Sequence, residues 1–242
     1  MGKILICIDD TDNLESIGTG QLLENLCAEL KREGLAESGF VTRHQLLIHE
    51  DIPYTSHNSS MCCEATSFDL NKTLSAARNY LEAHAAEGSD PGLCVLDFEM
   101  QADYSALMEF GKRAQEQVLS KEDAFCVAAA YSGSVYLSEH GGSGDGVIGA
   151  LAGIGLRLTG SDGRVKGKLF PWTERKLVTV REICAHYGID QILSESNTPL
   201  AQDTVVSFTE PAKAFLLENK VSLKTRTDEE GIHILAHKGR RK

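Results

Sequence analysis

The feature that most constrains this chain is its first dozen residues. Residues 3–8 (KILICI) carry no charge after the opening lysine, the pattern of a strand buried on both faces. The run stops abruptly at Asp9-Asp10-Thr11-Asp12, and a polar, turn-rich stretch follows to Gly20. Residues 21–32 then place Leu22, Leu23, Leu26, Cys27 and Leu30 at helical spacing, and Gly34 ends the pattern. A buried strand, a polar loop and an amphipathic helix make one unit of an α/β or α+β fold. The carboxylates sit at the strand's C-terminal end, where α/β sheets place their ligands.

The rest of the chain continues the alternation. Strands are expected at 40–49, 62–69, 93–97, 124–130, 204–208, 220–225 and 232–236. Helices are expected at 70–86, 104–119, 147–158 and 211–218, with a turn at Ser89-Asp90-Pro91-Gly92. Composition shifts after about Lys168 toward fewer glycines and a more basic balance. That places a boundary near 170–176, with domains at 1–170 and 171–242.

Charge narrows the partners. The net charge is −11, so the surface as a whole does not suit a phosphate backbone, and tRNA is not expected as a ligand of the isolated chain. Basic residues collect at the end, with seven Lys/Arg against three acids over 220–242; the run at 237–242 reads as a solvated terminus. The seven cysteines contain no CxxC pair and mostly lie in apolar runs, which indicates buried thiols and no zinc ribbon. No stretch reaches the roughly 18 apolar residues of a membrane span, and the start carries no signal-peptide pattern. The expected compartment is the cytoplasm; the oligomeric state is left open.

Three segments carry chemistry. Asp9, Asp10 and Asp12 are carboxylates within four residues, which repel one another unless a cation lies among them. Mg²⁺ prefers such hard oxygen ligands together with phosphate oxygens. A solvated acidic turn capping the next helix is the plainer alternative. Gly18-Thr19-Gly20 then opens a helix, where free N–H groups attract phosphate and Thr19 brings a hydroxyl; an ordinary cap is again the alternative. The third segment, Gly141-Gly142-Ser143-Gly144-Asp145-Gly146-Val147-Ile148-Gly149, puts five glycines before an apolar helix. It describes either an anion cradle or tight helix packing by Gly149, Gly153 and Gly155.

These segments, in this order, resemble the archaeal tRNA-isoleucine agmatidine synthetases. Cys7-Ile-Asp-Asp-Thr-Asp12 is similar to that family's IDDTDS opening, with Thr19 at the distance of its Cys-Thr-Thr-Tyr helix start. Residues 52–58 (IPYTSHN) resemble its NIPWKTRGNG stretch, and residues 144–155 (GDGVIGALAGIG) its GRGLIGALAAIG. The resemblance spans residues 1–160 and implies a kinase-like, ATP-spending module, with room for a ferredoxin-like portion. In the family this module phosphorylates the C2 carbonyl of a wobble cytidine so that agmatine can displace the phosphate. By position, Asp9, Asp10 and Asp12 would hold Mg²⁺ and serve the phosphoryl chemistry, and Thr19 would take up phosphate. Gly18, Gly20, Gly142, Gly144, Gly146, Gly149, His57 and Asn58 would line the nucleotide.

The departures are as informative. Thr55-Ser56-His57 replaces Lys-Thr-Arg, and Asp145 replaces an arginine, so three cations are lost. Arg164, Lys166 and Lys168 are the candidate replacements, and His57 and His140 flank two of the motifs. The family's OB-fold and zinc ribbon have no room in this sequence. The sequence thus predicts a Mg-ATP-binding phosphotransferase acting on an unidentified small acceptor or on Thr19. The alternatives are a nucleotide sensor without turnover and a partner-dependent tRNA-modification subunit.

Overall fold

In the computed structural model, residues 1–52, 55, 57–99 and 103–235 are described, and they divide into two compact units, Met1–Thr159 and Gly160–Lys242. The first unit runs β1 (Gly2–Asp9), α1 (Thr19–Arg32), β2 (Ala36–Gln45), β3 (Ser59–Ser67), α2 (Leu70–His84), β4 (Gly92–Asp97), α3 (Ser105–Arg113), α4 (Lys121–Ala129), β5 (Val135–Glu139) and α5 (Gly146–Leu158). Its strands lie in the order β5-β4-β1-β3-β2, every neighbouring pair antiparallel. The first strand is therefore central, hydrogen-bonded to β3 on one side and β4 on the other.

Strand geometry then sorts its side chains. Alternate residues face opposite sides of a sheet, and both sides of β1 are covered. Ile4, Ile6 and Ile8 pack with Leu22, Leu23, Leu26 and Leu30 of α1 and with Leu74, Ala77 and Leu81 of α2. Leu5 and Cys7 pack on the other face with Leu107 and Phe110 of α3 and Ala150, Leu151 and Ile154 of α5. Three layers result, and they account for the uninterrupted apolar run of the first strand. Each fully buried Leu or Ile here contributes roughly 1.5–3 kcal/mol of transfer free energy.

Two elements differ in type from the sequence expectation. Residues expected as a strand at 124–130 form α4, because Ser120 and Asp123 make a reciprocal capping box at its start. Ala124 and Ala128, four apart, are buried in the core with Val127 packed against it, so the apolar content has a helical and not a strand period. The expected helix at 211–218 contains instead a strand, described below. The sequence does not predict β5, which leads directly into the glycine-rich loop.

The second unit holds β6 (Arg164–Val165), β7 (Leu177–Thr179), α6 (Val180–Tyr187), β8 (Gln191–Leu193), β9 (Val205–Ser207), β10 (Phe215–Leu217), β11 (Lys220–Thr227) and β12 (His233–Leu235). The β10–β11 hairpin turns on Glu218 and Asn219, both at positive φ, which is the two-residue turn that matches strand twist and overrides a helix. Phe215 also pairs with Arg164, and Leu169 bridges Ala212. These pairings draw residues 160–170 into the second unit, so the division falls earlier than the composition shift indicates. The basic run at 237–242 lies outside the described residues.

Candidate functional site

The end of β1 and the start of α5 meet. A methyl group on Gly149 would overlap the Asp9 carboxylate, and one on Gly146 would overlap the Asp90 carbonyl and approach the Asp9 carbonyl at 3.1 Å. The acidic loop and the glycine-rich loop, more than a hundred residues apart in sequence, thus form one place. Asp10 turns the chain off the strand at φ 50, a left-handed conformation that aspartate tolerates better than most residues.

Electrostatics reports the same crowding. Burial, with Asp10 and then Asp12 nearby, pushes the Asp9 carboxyl up to about 8. Asp10 rises to about 6, through burial and then the carboxylates of Asp90, Asp12 and Asp145. Asp145 belongs to the glycine-rich loop and Asp90 to the turn before β4, so both loops contribute to one field. A carboxylate set of this kind disfavours its own full ionisation until a cation joins it. Among the described residues no three His, Cys, Asp or Glu side chains are already gathered into a metal cage. Mg²⁺ does not require one, since it takes one or two carboxylates with phosphate and water oxygens.

Thr19 does not cap α1 with its side chain. The N-cap of α1 is Gly18, which has no side-chain cap, and Thr19 is the first helical residue. Its buried hydroxyl donates to Asp12 Oδ1 at 3.0 Å. The amides of Thr19 and Gly20 have no protein acceptor among the described residues, the ordinary condition of a helix N-terminus able to take an anion. The Thr55 hydroxyl donates to the Asp12 carbonyl at 3.2 Å and brings the β2–β3 connection against the acidic loop. In that loop Thr11 Oγ1 is buried without a hydrogen-bond partner in the protein. An orphaned buried hydroxyl in a loop of crowded carboxylates suits a site built to receive a polar ligand.

The glycine-rich loop behaves differently from a bare cradle. Gly142 and Gly144 both have positive φ, and side chains there would overlap the carboxylates of Asp90 and Glu139. The glycines therefore admit the protein's own acids. Ser143 is the centre of this arrangement. Its amide donates to Asp90 Oδ1, its hydroxyl to Asp90 Oδ2 at 3.1 Å, and its carbonyl accepts from Lys121 Nζ at 2.7 Å. Gly146 donates its amide to the Asp90 carbonyl at 3.1 Å. Farther along α5, Gly153 faces Cys7 and Ser60, and Gly155 faces the Leu107 carbonyl, so these two serve helix packing.

The remaining expected residues sort clearly. Gly18, Gly20, Gly146 and Gly149 stand at the two helix starts. Asn58 is engaged in the hairpin, its amide donating to the Leu47 carbonyl at 2.6 Å and its carbonyl accepting from Leu46 at 2.9 Å. His57 is exposed. Pro53, Tyr54 and Ser56 of the same motif lie outside the described residues. His140 bonds Ser138 at 2.8 Å and faces Glu82 at 3.4 Å; burial holds it below the usual histidine range. Arg164, Lys166 and Lys168 belong to the second unit. The cation that touches the glycine-rich loop is Lys121, which the sequence does not single out because nothing near it in the chain marks it. Asp90 is visible there only as part of an Asp-Pro-Gly turn.

No protein-family model matches the chain, and no curated protein matches it. Solved structures do. The complex of the agmatidine synthetase TiaS with tRNAIle2 and ATP is similar at 27% identity and TM-score 0.56, over 64% of this chain and 36% of that one. Apo TiaS, the tRNAIle2 agmatidine synthetase, is similar at 25% identity and TM-score 0.54, over 63% and 35%. The complex of TiaS with its tRNA, AMPCPP and agmatine aligns at 22% identity and TM-score 0.55, over 75% and 43%, and supports the shared fold. The matched region spans well under half the length of these enzymes.

Proposed function

We propose, from the fold that this chain shares with tRNAIle2 agmatidine synthetase, that its first unit binds Mg-ATP where the acidic loop meets α5, and acts as a phosphotransferase. The observation that carries the reading is the contact of Asp9 with Gly149, which joins a carboxylate cluster to a helix N-terminus. Mg-ATP, when bound, supplies the phosphoryl group and the metal charge. Asp9, Asp10 and Asp12 are the residues that would hold the metal. Their crowding fits it, because a divalent cation relieves the repulsion and desolvation that raise Asp9 and Asp10.

The chain's own residues supply positioning and proton transfer. The free amides at Thr19 and Gly20 bind and orient phosphate oxygens. Asp12, already accepting from Thr19 Oγ1 at 3.0 Å, is placed to take that proton, whether the hydroxyl is the acceptor itself or a relay to a small-molecule acceptor. Gly142, Gly144, Gly146 and Gly149 let the loop close on its carboxylates, and His57 and Asn58 border the approach. One specific observation favours a second reading, a nucleotide sensor without turnover. The cation beside the glycine-rich loop, Lys121, is bonded to Ser143 and Glu139.

The deciding experiment measures ATP binding and ATP hydrolysis with and without Mg²⁺, for wild type, Asp10→Ala and Thr19→Val. Mg-dependent turnover lost in both variants supports the phosphotransferase. Binding without turnover supports the sensor. Absence of any ATP affinity in the wild type overturns both.

A further inference from the structure

Lys121 is the first residue of α4, and the phosphoryl chemistry proposed for the acidic loop gives it no task. Its ammonium group bonds the Ser143 carbonyl at 2.7 Å and Glu139 Oε1 at 3.3 Å, and its side chain is only 27% exposed. Glu139 closes β5, and its carboxylate lies against Gly144, whose positive φ favours glycine there. The other side of Ser143 is held by Asp90, through the serine's amide and hydroxyl. The glycine-rich loop is thus fixed at one residue from two directions, by an acid on its N–H and by a cation on its C=O.

We infer that Lys121 is the positioning residue of the glycine-rich loop, and that its charge cancels Glu139 so that the loop accepts an anionic ligand. Two effects follow from one ammonium group. The hydrogen bond fixes the orientation of the Ser143 carbonyl and, in the same peptide, of the Gly144 amide, which donates to the Gly141 carbonyl at 3.1 Å; the Asp145 amide is held separately, by Ser143 Oγ at 3.3 Å. The ion pair removes a negative charge that would otherwise face phosphate across a single glycine. A charge-assisted bond of this kind exceeds a neutral one, and in the ion pair Lys121 is half-buried while Glu139 is exposed. The second effect rests on the nucleotide reading; the first does not.

The two can be separated. Amide hydrogen exchange over residues 141–146 is measured without ligand in wild type, Lys121→Met, Lys121→Arg and Glu139→Gln. Affinity for a non-hydrolysable ATP analogue with Mg²⁺ is measured on the same proteins and on the K121M/E139Q double variant. Lys121→Met is expected to speed exchange in the loop about tenfold and to weaken the analogue about tenfold, with Lys121→Arg restoring most of both. The double variant is expected to recover part of the affinity and none of the protection, which a residue serving only stability would not produce. Unchanged exchange in Lys121→Met overturns the loop-holding role. Affinity in the double variant no better than in Lys121→Met overturns the charge role. If the wild type has no affinity for the analogue, the nucleotide reading and the charge role fall together, and the exchange comparison still decides whether Lys121 holds the loop.

Discussion

Asp9 and Gly149 touch face to face: the carboxylate that ends the central strand occupies the space where any other residue of α5 would carry its β-carbon. That single approach brings a helix N-terminus to a half-buried acid. It also makes residue 149 intolerant of even a methyl group.

Gly149→Ala is therefore expected to destabilise the first unit by about 1–3 kcal/mol, the usual cost of overpacking. Urea unfolding measures it. Asp9→Ala in the same chain opens the space, so the double variant should lose less than the two single changes sum to. Strict additivity would show that the two side chains do not meet.

Stability should fall as pH rises. Asp9 is held up to about 8 and Asp10 to about 6, both above the ordinary value of 3.8. The folded state then binds more protons than the unfolded one between about pH 4 and 8, so the cost of ionising these groups grows across that window and is complete above about 8. Asp9→Asn should flatten the pH dependence and gain on the order of 1 kcal/mol at pH 8, after allowance for solvent screening. Melting curves from pH 5 to 8.5 without divalent metal test this. A wild type that becomes more stable with rising pH above 5 contradicts it.

Ser120→Ala removes the capping box of α4 and should cost about 1 kcal/mol. Because Lys121 follows directly, the same change should raise hydrogen exchange in residues 141–146. Loss of stability without any change in the loop would separate the two segments.

Of the two Ser143 bonds to Asp90, Ser143→Ala keeps the amide's and deletes the hydroxyl's, along with the bond that the hydroxyl accepts from the Asp145 amide, so a loss of about 0.5–1.5 kcal/mol is expected. Asp90→Ala deletes both and should cost more, by chemical denaturation of the two variants side by side.

Much of this arrangement was legible in the sequence, and the legible parts share a cause. The first strand, its flanking helix and the glycine-rich helix start announce themselves through period and residue type, both local properties. Assigning both the acidic segment and the glycine-rich segment to one nucleotide implies that the two converge, and the structure brings residues 9 and 149 together. Ser120 and Asp123 spelled a capping box, but the apolar content of the following residues drew attention to a strand. The hairpin at Glu218 and Asn219 escaped because neither residue is glycine, and positive φ at such residues leaves no compositional mark. Lys121 and Glu139 escaped for a different reason. Their significance lies wholly in what they touch, and a lysine at a helix start looks the same whether it faces water or another loop.

The position of β1 in the middle of its sheet has a mechanical consequence. Both of its edges are committed to antiparallel partners over nearly its whole length, with Ile8 paired on both sides and Asp9 paired with Gly92, so Asp9 cannot shift without breaking the ladder to β4 and straining a residue held on both sides. In the Mg-ATP reading, rearrangement on ligand entry falls to the exposed turn through Leu14 and Ile17, and the carboxylate end of the site is the fixed reference.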